Sequence, residues 1–545
     1  MLNNNESGDL AQTLLADFQK LKGGRLNWDS HWKEIAERVW PMHRSQFESQ
    51  GALGSKGDKR NQHIYDSTAT QALNRFGAIL DSLLTPRNQT WHRLKPSDRS
   101  LLNDRPTKLW FDEANAIAFK HRYAPNANFA SQNQNVYQSL GAYGSGGMFI
   151  DKLDSTPGLR YKSVFLGELY FRENHQGIVD SVFRYYSMTA RQAHQKFGDA
   201  LPDQLKSELR NNPDTSFWFV HAVVPREDRD TDRLDFKGMP FASYYISETG
   251  KKIVEEGGYN SFPYATPRYN QAPNEVYGRG PAMDALPAIK TLNEQKKTQL
   301  KAGHRAVDPV LLAYDDGVLD DFSLRPGSVN YGGVDSNGRA LVQTLKTGAY
   351  NIGLDMMDAE RQVINDIFLV NLFQILVENP QMTATEVVER SKEKGMLLAP
   401  TVGRQQSEYL GPMIERELDV LQEQGLLPEM PPALLEAAGE YQIEYDSPLS
   451  RAQQAEEVSG IMRSLEFTLQ VVNITQDPSV MDFYDFDQII PAVNDRQGVP
   501  AKWMRAIDEV EQIRQGRAEQ QAQQQAVEAA PGVAAVTNAA SKLEG

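Results

Sequence analysis

Four cations recur along one stretch of the chain. Lys290, Lys297, Lys301 and Arg305 fall, at 100° per residue, on a face of a helix running from about Pro281 to about Ala306. That face is distinct from the apolar stripe of Ile289, Leu300 and Val307. Cations in such a row attract phosphate without reading sequence, because each neutralised phosphate releases condensed counterions. The same pattern suits a solvated helix face, or one paired with acidic residues of a neighbouring copy. Lys392, Lys394 and Arg404 form a second, looser basic group with the same two readings.

Other constellations are weaker. Gly144-Ser145-Gly146-Gly147 resembles a phosphate cradle, but no Gly-Lys-Ser or Gly-Lys-Thr follows, so a plain turn is expected. Gly278-Arg279-Gly280 precedes a helix start and is expected to be a tight turn, with Arg279 in a subunit contact; free N–H groups there are the alternative anion site. Asp228, Asp230 and Asp232 alternate with arginines, and Asp315, Asp316, Asp320 and Asp321 form two acidic doublets. Neither group has EF-hand spacing. The first reads as a solvated loop and the second as a contact for a basic partner. The nine histidines form no metal-ligand set, and no serine sits in a Gly-x-Ser-x-Gly elbow. Catalysis, a bound cofactor and a resident metal are therefore not expected. Helix-turn-helix and zinc-finger spacings are missing too, which argues against base-specific DNA recognition.

The 545 residues exceed what one hydrophobic core organises, so several domains are expected. With 40% hydrophobic and 24% charged residues, the composition is that of a folded protein. A net charge of -15 opposes a surface that grips nucleic acid everywhere. Without cysteine the chain has no disulfide framework and no thiolate site. Residues 1–8 are polar and no apolar stretch follows, so neither a signal peptide nor a membrane span is expected, and the chain reads as soluble.

The elements that carry these residues follow from periodicity. Trp28, Trp32, Ile35 and Val39 predict a helix stopped by Pro41; Ala69, Leu73, Phe76, Leu80 and Leu84 predict another stopped by Pro86. Lys108 to Arg122 predicts a third, and the glycines from Gly141 to Gly147 are expected to end the helical region. Short strands are predicted at 164–166, 178–179, 182–186, 217–224 and 242–246, with a hairpin turn at 248–251. A helix is predicted over 189–197, capped by Ser187 or Thr189. The tyrosine pairs 185–186 and 244–245, with Phe483-Tyr484, are either interface anchors or, for the first two, strand packing. The apolar stripe of 281–306 looks too thin for a core helix. A second apolar helix spans Val363 to Leu376, with a small strand-and-turn insert between the two. Thr383 and Glu386 have capping-box spacing, 450–470 is helical, and the tail after Pro531 is expected to lack order.

The stretch Pro273-Asn274-Glu275-Val276-Tyr277-Gly278-Arg279-Gly280-Pro281-Ala282-Met283-Asp284-Ala285-Leu286-Pro287, continuing through Ile289-Lys290-Thr291-Leu292-Asn293, closely resembles the head-to-tail connector, or portal, proteins of short-tailed, T7-like bacteriophages. Met188-Thr189-Ala190 with Lys196-Phe197-Gly198, the segment 244–269, and 382–387 agree with it. The resemblance implies an α+β subunit: a wing over 1–278, strand-rich at 148–270, a first stem helix over 279–306, a clip over 307–353 and a second stem helix over 354–378. A channel-side helix and loop with a return to the wing would follow over 379–449, then a helical crown over 450–520 and a tail over 521–545. It further implies a homo-oligomeric ring of about twelve copies at a capsid vertex of the virion, assembled in the host cytoplasm. Terminase motor, tail adaptor, major capsid, scaffold and internal core proteins would be its partners. Double-stranded DNA would pass without sequence preference during packaging and ejection, and no membrane contact is implied. A capsid or tail scaffold ring without a DNA channel is the alternative.

Overall fold

The computed structural model describes residues 4–43, 59–153, 156–308, 310–313, 323, 325–344, 350–371, 399–437, 439–446, 448–497, 499, 501–505 and 509–522. The chain forms a mixed α+β protein that divides into two compact units, 1–87 with 121–424 and 88–120 with 425–545.

The first unit is built on a five-stranded antiparallel meander. Its helices begin with α1 (Asn4–Gly24), α2 (Leu26–Arg38), α3 (Thr68–Leu84) and α4 (Phe129–Tyr143). Strands β1 (Met148–Lys152) and β2 (Leu159–Ser163) follow, then β3 (Leu169–Glu173) and β4 (Val179–Thr189). Next come α5 (Ala190–Phe197), α6 (Asp203–Asn211), β5 (Ser216–Pro225), β6 (Phe241–Ser247), β7 (Lys252–Tyr259) and β8 (Tyr264–Ala265). Strands β3 to β7 pair in sequence order, and β1 pairs with both β2 and β8 in a three-stranded sheet.

Period-two alternation gives the meander two apolar faces. On one, Leu14 and Phe18 of α1 pack against Tyr170, Phe183, Tyr185, Val220 and Ile246. On the other, Ala193 and Phe197 of α5 and Leu205 of α6 cover Phe217, Phe219 and Tyr245. The tyrosine pairs are thus accounted for by strand packing, with Tyr185, Tyr244 and Tyr245 buried. Thr189 is the cap of α5: its Oγ1 accepts from Gln192 N–H, and Gln192 Oε1 accepts from Thr189 N–H, a reciprocal box that satisfies two otherwise orphaned donors.

Two local expectations need correction. Helix α4 continues through Gly141 to Tyr143, because a Cβ at Gly141 would lie 2.7 Å from Leu73 and Phe76; the glycine allows close approach to α3 without ending the helix. The strand expected at 164–166 lies earlier, at β2, and Leu166 opens a short 3₁₀ turn whose carbonyl accepts from the buried Arg25 guanidinium.

Helix α7 (Pro281–Val307) packs against α3, α4 and α8 (Tyr350–Ile367). Its first half is core, with Ala282, Met283, Ala285, Leu286, Ile289 and Leu292 buried. After Asn293 only Gln299 is buried, and Leu300 and Val307 are exposed. The thin apolar stripe therefore describes the second half alone. Helix α8 buries Met357 and Ile364 while leaving Leu354, Met356 and Val363 exposed, so over its own length it is covered on one side. Residues 372–376 and 383–387, on which the rest of the second apolar helix and the capping box fall, lie outside the described residues. Between α7 and α8, β9 (Leu311–Ala313) pairs with β10 (Val342–Thr344). A π-helical turn at Gln406–Leu410 leads into α9 (Gly411–Glu423).

In the second unit a strand at His92–Pro96 pairs antiparallel with Tyr441–Tyr445. The helix Arg105–Arg122, which begins in this unit, donates Trp110 Nε1–H to the Pro428 carbonyl. A long helix spans Pro448–Thr475 and a shorter one Phe486–Gln497, with Phe467, Phe483 and Trp503 exposed.

Candidate nucleic-acid interface and the turn that leads into it

Two glycine motifs far apart in sequence lock backbone to backbone at the start of α7. The Gly278 N–H donates to Ser145 Oγ at 2.8 Å, Arg279 N–H to the Asn270 carbonyl at 2.6 Å, and Tyr269 N–H to the Gly144 carbonyl at 2.8 Å. Ser145 bridges Arg268, and Asn270 bridges Arg279. A Cβ at Gly278 would lie 2.3 Å from the Gly144 carbonyl oxygen, and one at Gly280 2.4 Å from that of Leu140. Gly144 ends α4 at φ +73°, a conformation that glycine adopts without strain. Gly144-Ser145 is therefore a receptor for the 278–280 turn.

Charged and aromatic groups brace this junction. Arg268, 3% exposed, binds Glu408 of the π-helical turn through Nε and Nη2, each at 3.0 Å, pairs with Glu173, and donates to the Gly177 carbonyl. Burial alone would disfavour its charge, but Glu408 and Glu173 more than offset that cost. Tyr277 stacks on Phe171 with centroids 5.2 Å apart and meets Trp32 edge to face at 5.1 Å. Arg279 binds Glu275 of its own chain bidentately, at 2.8 and 2.6 Å, and lies over Trp28. The Arg279 hydrogen bonds hold the Glu275 carboxyl below the usual range.

The four cations of α7 divide along the helix. Lys290 pairs with Glu34 of α2 at 2.7 Å, and that hydrogen bond lowers the Glu34 carboxyl. Lys297 sits 3.6 Å from Glu294 and 5.9 Å from the centre of the Tyr65 ring. Lys301 and Arg305 are exposed and have no ion pair among the described residues. So the cations become freer toward the end where the helix leaves the core. Arg404 is partly buried and precedes the π-helical turn, while Lys392, Lys394, Asp315, Asp316, Asp320 and Asp321 lie outside the described residues.

Sequence reasoning missed the partnership of 144–145 with 278–280, and missed Arg268 and Glu408. Glycine pairs in both segments were the available signal; nothing in either one specified the other. It also missed a buried ion pair in which Arg122 Nε donates to Glu417 at 3.0 Å and Tyr161 Oη donates to the same carboxylate at 2.5 Å. No group of acidic and histidine residues suited to a metal occurs among the described residues, and no described helix is long and apolar enough to cross a membrane.

The chain is 28% identical over 542 residues to the portal protein of Salmonella phage epsilon15, covering 98% of this chain and 95% of that one. It is 29% identical over 516 residues to the probable portal protein of Bordetella phage BPP-1, covering 93% and 91%. A chain in the solved virion of a native gene transfer agent particle aligns over 79% of this chain and 94% of its own, at 9% identity and a TM-score of 0.38, a likeness too low to argue from. Residues 11–504 match the family described as bacteriophage head to tail connecting protein, and the chain belongs to that family.

Proposed function

We propose that this chain is a portal subunit: copies close into a ring, about twelve of them, at one capsid vertex of the virion, and double-stranded DNA is packaged and ejected through the ring's axis. Family membership and near full-length similarity to two phage portal proteins support that role. In this reading 1–278 form the wing, 279–306 and 354–378 the stem helices, 307–353 the clip, 379–449 the channel-side segment and 450–520 the crown. Terminase motor and tail adaptor dock in turn on the clip, where Asp315, Asp316, Asp320 and Asp321 meet basic partners.

One observation carries the DNA role of α7. Its first half is fixed in the core by a turn with no room for a side chain at Gly278 or Gly280, while its second half presents Lys297, Lys301 and Arg305 away from the core. A passage must hold DNA weakly enough for movement. A few cations in an acidic protein give modest, salt-sensitive attraction to phosphate, without the affinity of a uniformly basic surface.

The chain lacks cysteine, so a single introduced cysteine can carry a DNA-reactive cross-linker. In DNA-filled particles, Lys301→Cys and Arg305→Cys are expected to cross-link the genome, whereas Leu234→Cys, on a fully exposed loop of the wing, is expected not to. Equal cross-linking from all three positions, or from Leu234→Cys alone, would remove α7 from the channel wall.

A further inference from the structure

Five large apolar side chains of the α7–α8 pair lie open to water: Leu300 and Val307 of α7, and Leu354, Met356 and Val363 of α8. Their placement follows from how the two helices meet. Ile364, late in α8, lines one small pocket with Ile289 and Leu292 of the first half of α7, so the helices run antiparallel. In its second half α7 buries only Gln299, with Gln295, Ala302 and Gly303 half-buried beside it, which marks the side turned to α8. Met357 and Ile364 are fully buried and mark the side of α8 turned back to α7.

Each exposed residue stands in a fixed relation to one of these markers. Leu300 follows Gln299 and so lies roughly a quarter turn further on, and Val307 falls within about 20° of Leu300. Met356 and Val363 precede Met357 and Ile364 and so lie roughly a quarter turn back. Viewed along α7 from its start, α7 winds clockwise, and α8, which runs toward the viewer, winds anticlockwise. A quarter turn on in α7 and a quarter turn back in α8 therefore point to opposite sides of the two-helix layer. By the same count Leu354 and Lys296 join the Leu300 side, and Glu360 joins the Met356 side. Neither Lys296 nor Glu360 has an ion partner among the described residues. Lys297, Lys301 and Arg305 fall on a third side, roughly opposite α8.

We propose that these two sides bind each other between copies of the chain: the Leu300, Val307 and Leu354 side of one copy docks on the Met356 and Val363 side of the next. The inference rests on the portal reading above and names the contact that closes its ring. Exposed apolar side chains meet across it and leave water together. Lys296 of one copy meets Glu360 of the next, whereas docking of like sides sets lysine against lysine or glutamate against glutamate. A contact between unlike patches on opposite sides is heterologous, so it repeats from copy to copy until the ring closes. It leaves the third side, with Lys297, Lys301 and Arg305, uncovered for the axis.

The test uses introduced cysteines, since the chain has none of its own. Leu300 is as far beyond Leu292 as Met356 is before Ile364, so the two stand at one height on the layer, on opposite sides. L300C/M356C in the full-length protein, treated with a short bismaleimide and run on a denaturing gel, is expected to give a ladder from dimers upward. L300C alone and M356C alone are expected to stay at the monomer position. V363D, at an exposed position, is expected to keep its circular dichroism and to reduce the rings counted by electron microscopy by about tenfold or more. The proposal is overturned if L300C/M356C stays at the monomer position, or if L300C alone gives dimers, which would show like sides meeting. Rings seen beside an uncross-linked L300C/M356C overturn this contact and keep the portal reading. A ladder from particles that form only open chains supports the contact and contradicts the ring.

Discussion

Ser145 Oγ accepts the backbone N–H of Gly278 at 2.8 Å, while the Ser145 carbonyl accepts from Ser139 Oγ at 2.7 Å. One serine thus ties the end of α4 to the turn ahead of α7. Direction is fixed there because Gly144, Gly278 and Gly280 bring backbone against backbone, and a side chain at Gly278 or Gly280 would hold the two segments apart.

Gly278→Ala and Gly280→Ala should therefore each cost about 3 kcal/mol or more, since the added Cβ meets immobile backbone rather than a movable side chain. Gly303→Ala, in the exposed half of α7 with nothing within 4 Å of its Cβ, should stabilise by about 0.5–1 kcal/mol. Urea unfolding of the three variants checks this, and a tolerated Gly278→Ala would contradict the packed turn.

Arg122 and Glu417 are both fully buried and carry opposite charges. Glu417→Gln leaves a guanidinium without its counter-charge in the core, and a loss of about 3–5 kcal/mol is expected. Tyr161→Phe removes one hydrogen bond to the same carboxylate and should cost about 1.5–3 kcal/mol. Thermal unfolding should rank Glu417→Gln well below Tyr161→Phe.

Two buried histidines should make the first unit sensitive to acid. Burial, reinforced by Arg60, pushes His43 down to about 4 from an ordinary 6.5, and burial drives His221 well below that ordinary value. Between about pH 6.5 and 4 the unfolded chain binds protons that the folded chain does not, so stability rises with pH across that window and is lost as pH falls through it. His43 contributes at most about 3.5 kcal/mol of this change. Unfolding midpoints measured from pH 7.5 to 4.5 should fall, and His43→Gln should reduce the slope; an unchanged slope would contradict the assignment.

Salt dependence reports on α7. If Lys301 and Arg305 face phosphate, K301Q/R305Q should bind duplex DNA more weakly and lower the slope of log affinity against log salt by about 0.9 per lost phosphate contact in each subunit. Lys290→Gln should change it less, because Lys290 is already paired with Glu34. Equal slopes for all proteins would place these cations away from DNA.

Local order was readable wherever a face is buried by neighbours close in sequence. The stripe from Ala69 to Leu84 gives α3 almost to the residue, with Pro86 beyond its end, and Thr189 and Gly198 bracket α5. Glycine misled at Gly141, because packing against Leu73 and Phe76 overrides its weak helix propensity. The strand pair of His92–Pro96 with Tyr441–Tyr445 was invisible, since its short, polar halves come from distant parts of the chain. For the site, the cations of α7 could be placed on one helix from spacing alone. That Lys290 is paired and Lys301 is not depends on α2, which no local pattern specifies.

The central claim is a closed ring whose axis admits duplex DNA past α7. Single-particle electron microscopy of the purified full chain, at low and physiological salt and beside its capsid proteins, tests it most directly. The account predicts rings of about twelve subunits with an axial opening wider than about 20 Å and with Lys297 and Lys301 on its wall. A monomer or dimer under every condition, or a ring with the exposed half of α7 turned away from the opening, would contradict it.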